Sequence, residues 1–140
     1  MYSDPTAEDI DRIARLWLAV SRLVSDQYGV ELEARPDHLL WVQQLLDDDV
    51  AANDTQLCEA VGAVLGIVVA DSVPGFDWCV YSDAEGRDLC LRYRETSLVL
   101  FPVDMVARRR EAHEPIDLYD LFQLTRKRLE ELSDEVPRVS

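Results

Sequence analysis

Ile10, Ile13, Trp17, Val20 and Val24 recur at spacings of three and four along SDPTAEDIDRIARLWLAVSRLVSDQYG. This period predicts an amphipathic helix with one apolar face. Asp4 before Pro5 is the favoured pairing of N-cap and first helical residue, and Gly29 offers a left-handed stop. VELEARP then serves as a connector. Leu39, Leu40, Val42, Leu45 and Leu46 predict a second helix from about Pro36 to about Asp48. Asn53 and Gln56 have the spacing of a capping box, and from Leu57 to Ala70 the chain is apolar almost all round, as a central buried helix should be. Its longest apolar run, residues 60 to 70, is well short of the ~20 residues that span a bilayer. Gly62 and Gly66 therefore point to close packing against a neighbouring element.

Beyond this helix the period changes from 3.6 to 2. WCVYSDAEGRDLCLRY, residues 78 to 93, alternates apolar and polar residues around a short acidic turn. With DAEG as the loop and Gly86 in a left-handed conformation, the numbers of paired residues sum to 169. Phe76 then faces Tyr93, Trp78 faces Leu91 and Val80 faces Leu89, while Asp77 faces Arg92 on the other side. A loop one residue shorter puts Trp78 opposite Arg92 and scrambles both faces. In the better register Asp83 and Glu85 belong to a solvent-facing bend with no base or desolvating wall to tune them as acids. Cys79 falls directly across from Cys90, a placement open to a cross-strand disulfide or redox switch, though in a reducing compartment the pair reads first as two small buried thiols on a half-covered face.

After a turn at ETS, LVLF reads as a third strand. Pro102 starts a helix that carries Arg108, Arg109 and Arg110 near its C-terminus, favourable for the helix dipole. Asp117 can cap a last helix with Leu118, Leu121, Phe122, Leu129 and Leu132 inward and Arg126, Lys127 and Arg128 outward. The expected architecture is α+β: N-terminal helices and a central apolar helix packed on a three-stranded antiparallel meander, followed by two C-terminal helices. One domain is expected over residues 1–135, with residues 136–140 a frayed tail.

Charge changes this picture more than composition does. Twenty-eight acids against fourteen bases give a net charge of −14. Such a field repels a phosphate backbone and weighs against nucleic acid as a partner. Residues 26 to 71 hold ten acids and one base, Arg35, a local charge of −9. Asp47, Asp48 and Asp49 lie where the second helix already presents the negative end of its dipole. DDDVAANDT lacks the alternating acidic ligands and central glycine of a calcium loop, so the acids read as a solvated helix end or a partner-binding patch.

Sites for chemistry are absent from the pattern. No GxSxG, P-loop, GxGxxG, HExxH or CxxC occurs. His38 and His113 are far apart in sequence and neither is paired with a nucleophile, so no triad forms. Three cysteines without CxxC give no zinc site. No cofactor or metal is expected. The opening MYSDPTAEDI has neither the basic region nor the apolar core of a secretory signal, and a cytoplasmic location without a membrane is expected.

The ordered series AVGAVLG, FDWCVYSDAEGRDLCLRY, VLFPVDMVARR and EPIDLYDL resembles the bacterial domain-of-unknown-function family numbered 3806, over roughly residues 57 to 121. The chain departs from that pattern at Cys90, where a small residue such as Ala is expected, and at His113, where Gly is expected. The resemblance implies a scaffold and a bacterial source, and it brings no catalytic residue to carry over.

Function must then come from the surface. One expectation is a non-catalytic module whose acidic half docks a basic protein, an immunity protein against a basic bacterial toxin being its most concrete form, with Glu31, Glu33, Asp47, Asp48 and Asp49 as contacts. The alternative is a small enzyme or ligand-binding domain with a pocket between meander and helices, lined by Trp78, Tyr81 and Arg92. A homodimer or structural subunit is the third class.

Overall fold

A computed structural model describes residues 1–48 and 55–135. The elements in order are β1 (Tyr2–Ser3), α1 (Ala7–Tyr28), a 3-10 turn at Pro36–His38 leading into α2 (Leu39–Asp47), α3 (Thr55–Ser72), β2 (Phe76–Asp83), β3 (Gly86–Tyr93), β4 (Val99–Leu100), α4 (Pro102–Glu111) and α5 (Leu118–Glu135). The fold is α+β, with an antiparallel sheet in the order β1-β2-β3-β4. It has four strands where the alternation pattern predicts three. The extra one is β1, which pairs Tyr2 with Tyr81 and Ser3 with Val80. A strand of two residues is too short for alternation to mark it.

The start of α1 also differs from the expected one. Thr6, not Asp4, is the N-cap, and it forms a reciprocal capping box with Asp9. The end is as expected: Gly29 takes φ 67 and its N–H donates to the Ser25 carbonyl at 2.9 Å. On α1 the buried residues are Asp9, Ile13, Val20 and Val24, whereas Ile10 is 58% exposed. At about 100° per residue Asp9 lies nearer the centre of this stripe than Ile10 does. Leu40 is 64% exposed for the same reason, off the face on which Leu39, Val42, Leu45 and Leu46 are buried.

Helix α3 is the centre of the core. Cys58, every residue from Ala60 to Gly66, Val68 and Val69 are buried. The two glycines are required by what lies against them. A Cβ at Gly62 would strike the backbone carbonyl of Pro102, and one at Gly66 would lie 2.7 Å from Trp78 Cη2 and 2.8 Å from Pro102 Cγ. This is the one described helix with the length and hydropathy to cross a membrane, but 61% of that window is buried inside the fold, as in a core helix. Asn53 lies outside the described residues, as does the tail 136–140.

The hairpin has the expected register from Phe76 opposite Tyr93 to Ser82 opposite Arg87, and pairing continues one step further to Asp83 opposite Gly86, so the turn is the two residues Ala84 and Glu85 where a four-residue loop is expected. Gly86 has φ 140, a more extended conformation than the left-handed one expected and equally suited to glycine. The Asp83 carboxylate accepts from the Glu85 N–H at 2.9 Å, and both side chains are exposed. The acidic turn is thus the bend of the hairpin. Phe76, Leu91 and Leu100 join the main core, while Val80 and Leu89 pack with Ile13 in a smaller cluster; Trp78 touches both. All of these lie on the face of the sheet that receives the helices.

Among the later elements, Asp117 caps α5 by accepting from the Asp120 N–H at 2.9 Å. Leu118, Leu121 and Phe122 are buried and Arg126, Lys127 and Arg128 are exposed. His113 has φ 54, a left-handed conformation that suits glycine, so the glycine expected there from the family pattern has a backbone reason.

Candidate functional site

Two of the first-half acids, Asp47 and Asp48, lie at the corner where α1 and α2 end. The Tyr28 hydroxyl, in the last turn of α1, donates to Asp48 Oδ2 at 2.7 Å just beyond the end of α2. Asp48 Oδ1 accepts from Gln44 Nε2 at 2.9 Å, and Asp47 Oδ1 accepts from Gln43 Nε2 at 3.0 Å. All of these donors are neutral, so none of them offsets a carboxylate's charge. Neither helix has a basic residue in its last turn. Two negative dipole ends and exposed Asp47 and Asp48 therefore share one place. Tyr28 registers the field: burial, the hydrogen bond to Asp48 and the charges of Asp48 and Asp47 together push its hydroxyl up to about 12.

The corner is held by a residue that the sequence pattern does not single out. Gln43 Nε2 also donates to the Ile116 carbonyl at 2.9 Å, and its Oε1 accepts from the Leu118 N–H at 2.9 Å. One side chain thus joins Asp47 to the start of α5. Its only sequence signal is a polar residue on the flank of an apolar helix.

Glu31 and Glu33 are placed differently. Glu31 is exposed two residues past Gly29, close in sequence to the Tyr28 anchor. Glu33 lies at the other end of the connector, where Arg35 approaches it at 3.7 Å and His38 Nε2 at 3.8 Å. Arg35 also holds Asp37 with two bonds, at 3.1 and 2.9 Å. His38 is fixed by accepting the Glu33 N–H on Nδ1 at 3.0 Å. This end of the acidic stretch is partly neutralised from within, whereas Asp47 and Asp48 have no ion pair among the described residues. Asp49 lies outside the described residues.

Trp78, Tyr81 and Arg92 do not line one pocket between meander and helices. Trp78 points toward α3, against Gly66. Tyr81 and Arg92 are on the opposite face, since Tyr81 is three residues from Trp78 on the same strand and Arg92 is next to Trp78's partner Leu91. On that face the Tyr2 and Tyr81 rings are 5.3 Å apart, Tyr81 meets Phe101 edge-on at 6.3 Å, and the Arg92 guanidinium lies 4.1 Å from the centre of the Tyr2 ring. Beneath them Cys79 Sγ and Cys90 Sγ are 3.0 Å apart.

A cleft of about 520 Å³ lies elsewhere, between α1 and α3, lined by residues that include Arg12, Arg15, Gln56 and Glu59. Its two cations already face carboxylates, Arg12 with Glu59 at 3.4 Å and Arg15 with Asp11 at 3.2 Å. Among the described residues no three His, Cys, Asp or Glu side chains converge as a metal site would require.

Comparison with known proteins agrees on the fold. A crystal structure from Bacteroides thetaiotaomicron VPI-5482, solved at 1.50 Å resolution, superposes with a TM-score of 0.81 at 16% identity, covering 88% of this chain and 46% of that one. This chain thus spans about half the length of that protein, and at such identity the likeness concerns the fold alone. No curated protein matches the chain in sequence. The sequence profile of the family described as Domain of unknown function (DUF3806) matches residues 37–122, which extends the resemblance back through α2 and covers more than half of the molecule, so this chain belongs to the DUF3806 family.

Proposed function

We propose that the chain is a protein-binding module that docks a basic partner through the corner where α1 and α2 end. The observation that carries this reading is the Tyr28–Asp48 bond, which gathers Asp47, Asp48 and two helix C-termini around one phenol. The net charge of −14 adds a long-range field of the same sign. Such a field raises the rate of encounter with a cationic surface and falls off with salt.

Inhibition of a basic enzyme, as an immunity protein inhibits a toxin, is the concrete form of this reading. Docking a carboxylate-rich corner over a cationic active site blocks it without chemistry of the inhibitor's own, and no nucleophile–base pair is needed. Asp47 and Asp48 are the primary contacts, Glu31 extends them, and Glu33 contributes less because Arg35 and His38 already face it. Reversing the charge of Asp47 and Asp48 tests the reading. Association with the partner should slow and lose much of its salt dependence.

A further inference from the structure

We propose that Cys79 and Cys90 form a reversible dithiol–disulfide site on the helix-free face of the sheet, closed by hydrogen peroxide and reopened by a dithiol reductant. The two residues are directly opposed in the β2–β3 register. The Arg94 N–H donates to the Gly75 carbonyl at 2.9 Å, which makes that pair a hydrogen-bonded one, and Cys79 and Cys90, four residues inward on each strand, share its phase. Such pairs have Cα atoms ~5.5 Å apart, inside the range a disulfide accepts. The sulfurs are already 3.0 Å apart, so closure to the ~2.05 Å of an S–S bond requires them to approach by only about 1 Å.

The surroundings divide the labour between the thiols. Cys90 is fully buried, and burial together with its hydrogen bond to Cys79 pushes its thiol up to about 12. Cys79 is only half-buried and is the one that solvent reaches. In the register, the line from Tyr2 to Arg92 crosses the sheet at Cys79, so the stacked phenol and guanidinium form its cover. That cover belongs to β1, which is held by two paired residues and by two bonds between Met1 and Ser82.

The chemistry balances in two steps. The Cys79 thiolate attacks one peroxide oxygen, the O–O bond breaks, and the departing hydroxide takes up the thiol's proton as water, leaving Cys79 as a sulfenic acid. The Cys90 sulfur then attacks Cys79 Sγ. The S–S bond forms, the S–O bond breaks, and the hydroxide leaves as a second water with the Cys90 proton. Two thiols lose two electrons and the peroxide gains them. A dithiol reductant reverses the result by exchange, starting with attack on either sulfur.

The test treats the folded chain with hydrogen peroxide, blocks remaining thiols with an alkylating agent under denaturing conditions, and maps them after cleavage at Glu59 and Arg87, which puts Cys58, Cys79 and Cys90 on separate peptides. The expected result is a peptide pair linked through Cys79 and Cys90, alkylation at Cys58, and recovery of all three thiols after dithiothreitol. The Cys90→Ala variant should instead accumulate a sulfenic acid at Cys79 that a 1,3-dione traps. Peroxide-treated protein with all three thiols still alkylatable, or with Cys79 carried to sulfinic acid and no linked pair, would overturn the proposal.

Discussion

The Arg87 guanidinium meets the Asp9 carboxylate through two parallel bonds of 2.9 and 2.8 Å, tying the base of the hairpin turn to the first turn of α1. Asp9 is buried and also accepts the Thr6 N–H at 2.8 Å and the Thr6 hydroxyl at 2.9 Å. One carboxylate thus completes a helix cap and joins two layers of the fold.

Arg87 first, and then the Thr6 N–H, hold the Asp9 carboxyl well below the usual carboxylate range against an opposing effect of burial. An unfolded Asp titrates near ~3.9, so this group's contribution to stability is complete above about pH 5 and is lost as pH falls toward its lower folded value. Asp9→Asn should therefore lower the urea midpoint at neutral pH, and the gap to the parent should narrow at about pH 3. Thr6→Ala removes the hydroxyl of the same cap and should cost ~0.5–2 kcal/mol.

Gly62→Ala should destabilise the protein despite alanine's better helix propensity. The propensity gain is ~1 kcal/mol. The new methyl meets the Pro102 carbonyl, a backbone group that moves only if α4 moves, and overpacking of this kind costs ~1–3 kcal/mol. Denaturant unfolding should show a lower midpoint with an unchanged slope.

The Tyr28 hydroxyl should ionise well above the range of an unfolded tyrosine. Its hydroxyl is pushed up to about 12, whereas an unfolded Tyr titrates near ~10. Above about pH 10 the unfolded chain loses that proton first, so stability should fall as pH rises through this window. Asp48→Asn removes a charge beside the phenol and should bring its ultraviolet titration to lower pH. An unchanged titration would separate Tyr28 from the acidic corner.

The register of the hairpin was legible, though not its loop length, because three constraints agree on it: the apolar face, the Asp77–Arg92 pair and the glycine after the turn. The core face of α1 was legible from Ile13 to Val24, but not at its N-terminal end. A hydrophobic Ile10 fits the period, yet Asp9 takes the buried place because a partner 78 residues away neutralises it. No local pattern announces such a partner. The Thr6–Asp9 box was readable in principle, with Asp standing where Glu or Gln is usual. The pocket of Trp78, Tyr81 and Arg92 fails on strand geometry alone, since the period of two puts Trp78 opposite the others. For the corner, the acids were visible as a charge run. Their gathering depends on the Tyr28–Asp48 bond, which links elements across a connector whose path sequence does not give.

The most direct measurement of the docking account compares the parent chain with an Asp47→Lys, Asp48→Lys variant as bait in lysate of its own host, at low and at ~0.5 M salt, with retained proteins identified and their binding rates then measured. The expected result is one basic protein that binds the parent at low salt, weakens at high salt, and associates at least ~10-fold more slowly with the variant. A partner that binds both chains alike at both salt concentrations would contradict it.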